Sequence, residues 1–305
     1  MASDAGIPVT VIGGYLGAGK TTLVNHLLRH AGRRIAVVVN DFGDLPIDQD
    51  LIVGASGGVL TLAGGCVCCS IGEDFLGGLV GMARRPDIDH LLVEASGVAL
   101  PGSIARTVAL ARGLKHEATI IVIDSETFHA NTQDKYIGDT VMRQLADADL
   151  LVANKAALVS DVARSELRAF LREHAPGAEL LFAERADVAP DIILGSREKS
   201  PFVCDEPRSE HDTGLIDSVS FEIDGRVDVS ALAKALADAS LGLARAKGFA
   251  QDVNGAWKAI QVVGRRAEIA DVSPRKGAGR LVCIAHGQAI DRERISAALR
   301  ARQSH

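Results

Sequence analysis

The sequence predicts an α/β protein, a doubly wound and mostly parallel sheet followed by a smaller α+β domain. Three observations predict it. Near-continuous apolar runs at Ile88–Glu94, Ala118–Asp124 and Asp149–Ala153 are the pattern of strands buried on both faces. Helical stretches separate them, the alternation of a parallel sheet built from crossover units. Beyond residue 214 the alternation stops, and short strands follow one another closely.

Taken in order, Pro8–Ile12 reads as the first strand, Gly19–Ala31 as a helix and Arg34–Val39 as the second strand. Val59–Ala63 is a weaker strand. The three apolar runs supply the central strands, with helices expected at Gly72–Arg84, Pro101–Arg112, Gly138–Ala148 and Asp161–His174, and a last strand at Glu179–Phe182. Ser196–Gly214 is polar, contains two prolines and shows no periodicity, so it reads as a linker. After it come a strand at Asp217–Ile223 and an amphipathic helix at Val229–Ala239. Strands at Arg245–Gln251, Trp257–Val263, Arg266–Ala270 and Leu281–Ala285 follow, then a closing helix at Asp291–Arg302. The expected division is therefore 1–195, a linker at 196–214, and 215–305.

Composition agrees. The chain has 305 residues, 47% hydrophobic and 24% charged, with a formal charge of −6. That excludes disorder, collagen and a coiled-coil rod, and the length favours two domains. The apolar runs, such as Ile35–Val39 and Ile120–Ile123, fall far short of the ~20 residues of a membrane span. The first basic residue is Lys20, so no charged leader is expected and the cytoplasm is the expected location. A net acidic chain argues against nucleic acid as a partner. Charge is uneven: residues 215–305 carry +4 and the remainder −10.

Gly14-Tyr-Leu-Gly-Ala-Gly19-Lys20-Thr21 fits G-x-x-x-x-G-K-[ST], and it lies between a strand and a helix, as the phosphate-binding mechanism requires. Gly14, Gly17, Ala18 and Gly19 would let backbone N–H groups close around phosphate oxygens at the positive end of the helix. Lys20 would reach the β- and γ-phosphates, the Thr21 hydroxyl would ligate Mg²⁺, and Thr22 would meet the α-phosphate. The fold expected for the first domain is thus that of P-loop nucleoside triphosphatases. Such a site needs an acidic residue at the end of a neighbouring strand to hold Mg²⁺. Glu94 ends an apolar run and precedes Ala95-Ser96-Gly97. Gly97 would let backbone approach the γ-phosphate. Asp124, at the end of another strand, is the alternative.

Three of the five cysteines fall within four residues, in Gly64-Gly65-Cys66-Val67-Cys68-Cys69. In a reducing compartment this cluster points to metal or redox chemistry rather than a disulfide framework. Thiolates suit Zn²⁺ and similar ions, with Co²⁺ or Fe²⁺ as alternatives. Two or three thiolates leave a tetrahedral site incomplete, which suits transfer of the ion better than permanent structural binding. Asn40–Asp48, between the first helix and the cysteines, is where a nucleotide-sensing loop would sit, and Asp41 and Asp44 are candidate further ligands. Asn154-Lys155-Ala156-Ala157 follows the strand Asp149–Ala153. In GTPases the corresponding motif is N-K-x-D, whose Asp accepts hydrogen bonds from guanine. Ala157 cannot do so, while Asn154 and the Lys155 stem could still contact the base.

Together these residues resemble the CobW-like metallochaperone GTPases, relatives of the nickel-insertion GTPases for urease and hydrogenase that include nitrile hydratase activators. The resemblance rests on GGYLGAGKTT at 13–22, VNDFGDLPID at 39–48, GGCVCC at 64–69, LLVEASGVALP at 91–101, NK at 154–155, and the closing LVCIAHGQAIDRERISAAL. It implies a GTPase in which Lys20 and Glu94 are catalytic, Thr21 and Glu94 hold Mg²⁺, and Cys66, Cys68 and Cys69 handle Zn²⁺ or another transition ion. It also implies GTP-gated delivery to a client metalloprotein docked partly through the C-terminal domain, and it admits a homodimer. Three departures stand out. Ala157 replaces the guanine-selective Asp, leaving ATP open beside GTP. Asp41 and Asp44 stand where many members carry Glu. His211 is the single histidine of the linker. With no obvious water-positioning glutamine, slow turnover is expected until a client binds. The competing readings are a nucleotide-dependent assembly protein with redox or structural cysteines and, ranked last, a small-molecule kinase.

Overall fold

Strands and helices alternate through the N-terminal part of the chain in the computed structural model, which describes residues 6–40, 59–61, 73–195, 216–274, 277–286 and 289–304. The elements there are β1 (Ile7–Gly13), α1 (Lys20–His30), β2 (Ile35–Asn40), β3 (Val59–Thr61), α2 (Glu73–Ala83), β4 (His90–Ala95) and α3 (Pro101–Leu110). β5 (Leu114–Asp124), α4 (Phe128–Gln133), α5 (Gly138–Ala146), β6 (Leu150–Asn154), α6 (Asp161–His174), β7 (Glu179–Phe182) and α7 (Pro190–Leu194) follow. The seven strands form one sheet in the order β3-β2-β4-β1-β5-β6-β7. β1 pairs in parallel with β4 and β5, β2 with β3 and β4, and β5 with β6. The chain leaves β1 toward β2 on one side and later crosses to β5 on the other. The carboxyl end of β1 therefore lies at the switch point where open α/β sheets bind ligands.

Side-chain alternation sorts this sheet into two faces. Val9, Val11, Ala36, Val38, Leu91 and Val93 form a core with Leu79 of α2 and Ile104 and Val108 of α3. The intervening residues Ile12, Leu92 and Glu94 take the other face, where α1 buries Leu23, Val24 and Leu27. That parity puts a carboxylate, Glu94, on the same side as the first turn of α1.

Around this sheet the elements depart from expectation at β5, α4 and α7. β5 begins at Leu114 rather than Ala118, because Leu114, Lys115 and His116 pair with Ile7, Pro8 and Val9 of β1; the ladder carries polar residues that give no apolar signal. α4 has no apolar period, and Phe128 is its one buried residue. α7 spans five residues, too few for a periodicity. The expected strand Val59–Ala63 is a strand over Val59–Thr61, its last two residues lying outside the described ones, as does the linker Ser196–Gly214.

The second sheet is built from β8 (Ile216–Ile223), β9 (Arg226–Val227), β10 (Leu243–Asp252), β11 (Trp257–Val263), β12 (Arg266–Asp271), β13 (Gly279–His286) and β14 (Gln303–Ser304). Its order is β12-β11-β10-β13-β8, all neighbours antiparallel; β9 adds in parallel to β10, and β14 pairs with β9. α8 (Val229–Leu236) and α9 (Arg292–Arg300) bury Val229, Leu232, Leu236, Ile295 and Leu299 in one core with Ile260, Val262 and Leu281. Asp228 and Asp291 begin these helices by accepting from the N–H groups of Ala231 and Arg294, each cap stabilising by about 1 kcal/mol. The chain divides into two compact units, residues 1–176 with 182–194, and residues 177–181 with 195–305.

Candidate functional site

The loop from β1 to α1 is shaped by glycine. Gly14, Gly17 and Gly19 have φ of 130°, 76° and 105°, values that side chains with a Cβ seldom adopt. A Cβ on Gly14 would lie 2.0 Å from the Val122 carbonyl oxygen, and one on Gly19 would lie 2.3 Å from Asn154 Nδ2. The loop is thus pressed against β5 and the end of β6. Ala18 is buried within it. Lys20, 8% exposed, folds back so that Nζ donates to the carbonyls of Gly14 (3.0 Å) and Tyr15 (3.3 Å). Gly19 caps α1 without a side-chain bond, and no acidic residue occupies the first turn, where Thr21 and Thr22 lie. The N–H groups of that turn and the Lys20 ammonium together suit an anion at this end.

Glu94 sits on β4 opposite Ile12 of β1 and Val39 of β2. It is 2% exposed, and the Thr21 hydroxyl donates to its Oε1 at 2.7 Å. Two hard oxygen donors therefore meet at the mouth of the glycine loop, a donor set that fits Mg²⁺. Glu94 does not cap α3, whose cap residue is Leu100, followed by Pro101 in the first turn, with no side-chain cap. Gly97 follows β4, and its carbonyl accepts from Gln144 Nε2 at 3.1 Å. Asp124, the alternative carboxylate, is committed elsewhere: Lys155 Nζ lies 2.6 Å from its Oδ2, and Oδ1 accepts the Glu126 N–H.

Asn154 ties this site together. Its Nδ2 donates to the Ala18 carbonyl at 2.9 Å, and its Oδ1 accepts the Ala186 N–H at 2.7 Å. It joins the glycine loop to the loop after β7 as a brace. Lys155 has φ 59°, and a 3-10 turn covers Ala156–Leu158. The Ala157 N–H donates to Glu184 Oε2 at 3.0 Å. Sequence reasoning missed the segment Glu184-Arg185-Ala186. It carries no motif, and the signal that marks it, consecutive positive φ at Arg185 (52°) and Ala186 (55°), exists only in three dimensions. Behind it His26 lies 3.7 Å from Asp187. Burial and then His30 push its pKa below the usual histidine value, against the pull of Asp187.

The expected metal ligands Cys66, Cys68, Cys69, Asp41 and Asp44, and the linker His211, lie outside the described residues. Among the described residues no group of three or more His, Cys, Asp or Glu is placed to hold a metal ion. His129 packs edge-on against Phe128 and Phe170. Cys283 is a buried free cysteine whose pKa burial raises to about 12. Among the described residues no helix is long and apolar enough to cross a membrane.

Comparison with known proteins agrees with this geometry. Residues 8–182 match the CobW/HypB/UreG nucleotide-binding domain, and residues 216–303 match the cobalamin synthesis protein cobW C-terminal domain. The zinc chaperone CobW of Pseudomonas aeruginosa is 32% identical over 98% of this chain and 92% of its own. A zinc chaperone CobW of Sinorhizobium sp is 30% identical over 88% of each chain. The zinc chaperone YjiA of Escherichia coli is 27% identical over 75% of this chain and 76% of its own.

Proposed function

This chain belongs to the CobW/HypB/UreG family, and we propose that it is a GTP-dependent metallochaperone that carries Zn²⁺ to a client metalloprotein. The observation that carries this reading is the Thr21–Glu94 pair at 2.7 Å beside the Lys20 ammonium. Relatives named as zinc chaperones support the choice of cargo.

The chain is a nucleoside triphosphate hydrolase. The backbone of residues 14–19 cradles the phosphates, and Lys20 exchanges its two loop carbonyls for β- and γ-phosphate oxygens. Thr21 and Glu94 hold Mg²⁺, which when bound neutralises charge on the phosphates. Thr22 meets the α-phosphate and Gly97 faces the γ-phosphate. Asn154 and Lys155 shape the base pocket, Asn154 by bracing it. Cys66, Cys68 and Cys69 bind the ion, with Asp41 and Asp44 as further ligands. Co²⁺ or Fe²⁺ are the other ions such a thiolate set accepts. Triphosphate binding changes the affinity of the thiolate set for its ion, and hydrolysis reverses the change. The 1–195 segment carries this chemistry, 196–214 links, and 215–305 helps to dock the client in the cytoplasm, with a homodimer as the working assembly.

The test is Zn²⁺ affinity with and without a non-hydrolysable GTP analogue. The reading expects different affinities, and equal ones remove the coupling, because a ligand that binds both states alike shifts neither. A Cys66→Ser/Cys68→Ser variant should lose zinc; one that binds no less favours the assembly-protein reading.

A further inference from the structure

Guanine is distinguished from adenine by the edge carrying N1–H and the exocyclic amine, two donors that a carboxylate can accept together. The fourth position of Asn154-Lys155-Ala156-Ala157 is an alanine and offers no acceptor side chain. A carboxylate is nevertheless present at that position. Glu184 Oε2 accepts the N–H of Ala157 itself at 3.0 Å. Resting on the nucleotide-binding reading above, we propose that Glu184 supplies the guanine-selecting carboxylate from the loop after β7, replacing one on residue 157.

Four observations hold that assignment together. First, β6 and β7 deliver the two loops side by side: the Ala183 N–H donates to the Ala153 carbonyl at 2.9 Å, and the Ala156 N–H to the Ala183 carbonyl at 3.1 Å. Second, the loop carrying Glu184 is braced to the phosphate loop through Asn154, whose amide bridges Ala186 N–H and Ala18 carbonyl. Third, Arg185 and Ala186 both hold left-handed backbone without being glycine. Such residues persist where surrounding bonds over-determine them, and they cluster at ligand sites. Here two bonds fix them: the turn bond from the Asp187 N–H to the Glu184 carbonyl at 2.9 Å, and the bond from the Ala186 N–H to Asn154. Fourth, Glu184 is exposed, and among the described residues the bond to Ala157, made through Oε2, is the one hydrogen bond of its side chain; its backbone carbonyl accepts the Asp187 N–H at 2.9 Å. The carboxylate is positioned through one lone pair of Oε2, which leaves Oε1 and the second lone pair of Oε2 to accept the two guanine donors.

A capping role for the 3-10 turn would use the same bond, so the test must read the base. Binding of GTP, inosine triphosphate, xanthosine triphosphate and ATP with Mg²⁺ is measured on the full chain by competition against a fluorescent GTP analogue. Each hydrogen bond to a charged group is worth about tenfold to a hundredfold. Native protein should therefore prefer GTP over ATP by about a hundredfold, and GTP over inosine triphosphate, which lacks the amine, by about tenfold. Glu184→Ala should collapse both ratios to within a few fold, and Ala157→Asp added to it should restore them. Glu184→Gln should shift preference toward xanthosine triphosphate, whose 2-oxo group accepts from a carboxamide; a cap alone predicts no such shift. A GTP preference that survives Glu184→Ala overturns the proposal, as does native protein that binds GTP and ATP alike. Native protein that binds no triphosphate at all overturns the nucleotide-binding reading beneath it.

Discussion

At the carboxyl ends of β4, β5 and β6 the N-terminal sheet buries Glu94, Asp124 and Asn154, with Lys20 beside them. The C-terminal sheet packs Val219, Ile260, Val262 and Leu281 against α8 and α9, and its own buried polar side chains, Arg245 and Gln261, sit within β10 and β11 rather than at strand ends. Strand direction accounts for the difference. Parallel strands all finish at one edge, so the loops that follow them pool their polar groups there. Antiparallel neighbours finish at opposite edges, so their loops disperse. Buried polar groups need partners, and pooled ones become one another's partners: Thr21 with Glu94, Lys155 with Asp124, Asn154 with Ala18 and Ala186. The first sheet therefore builds a site and the second a support.

Breaking that contrast at its strongest point means removing Lys20. Lys20→Ala should weaken triphosphate binding by about a hundredfold or more, since truncating one member of a buried charged pair costs about 2–5 kcal/mol. Titration calorimetry checks it, and binding within tenfold of native would show that the loop backbone alone holds the phosphates. Glu94→Gln keeps the shape and a hydrogen-bond acceptor for Thr21 but removes the charge. Turnover should fall by about a hundredfold, the scale of losing a preorganised electrostatic contact, and steady-state phosphate release at saturating Mg²⁺ reads it. The support predicts the reverse pattern. Leu232→Ala on α8, fully buried, should lower stability by about 2–5 kcal/mol while GTP affinity in the folded protein stays within twofold. Thermal unfolding and calorimetry on one preparation separate the two effects.

Legibility followed the same divide. The glycine loop, Lys20 and Thr21 were readable because their chemistry demands fixed spacing within one short stretch between a strand and a helix. Glu94 was readable because an apolar run ends on a carboxylate. The brace through Asn154 was not. It depends on which strands are neighbours, and β1 and β6 are separated in the sheet only by β5, whereas Ala18 and Asn154 lie far apart in sequence. Glu184 was illegible for the same reason: its partner Ala157 follows a different strand, and alanine announces nothing. In the C-terminal unit, alternation revealed β10 and β11, whereas the two-residue strands β9 and β14 were too short to carry any period.

Cys283 sharpens the contrast with the smallest effect. It lies on β13 in the apolar core, and burial pushes its thiol up to about 12 from the usual value near 9.0. Folded protein therefore keeps the proton at pH values where the unfolded chain loses it. The stability this contributes is complete below pH 9.0 and is lost as pH rises toward 12. The loss should approach about 1.4 kcal/mol per pH unit within that window. Cys283→Ala should flatten that part of the pH–stability curve relative to native protein, whatever the lysines and tyrosines add to both. A slope that the substitution leaves unchanged would mean the thiol is not insulated from water, and the second sheet would then be less apolar a support than its packing indicates.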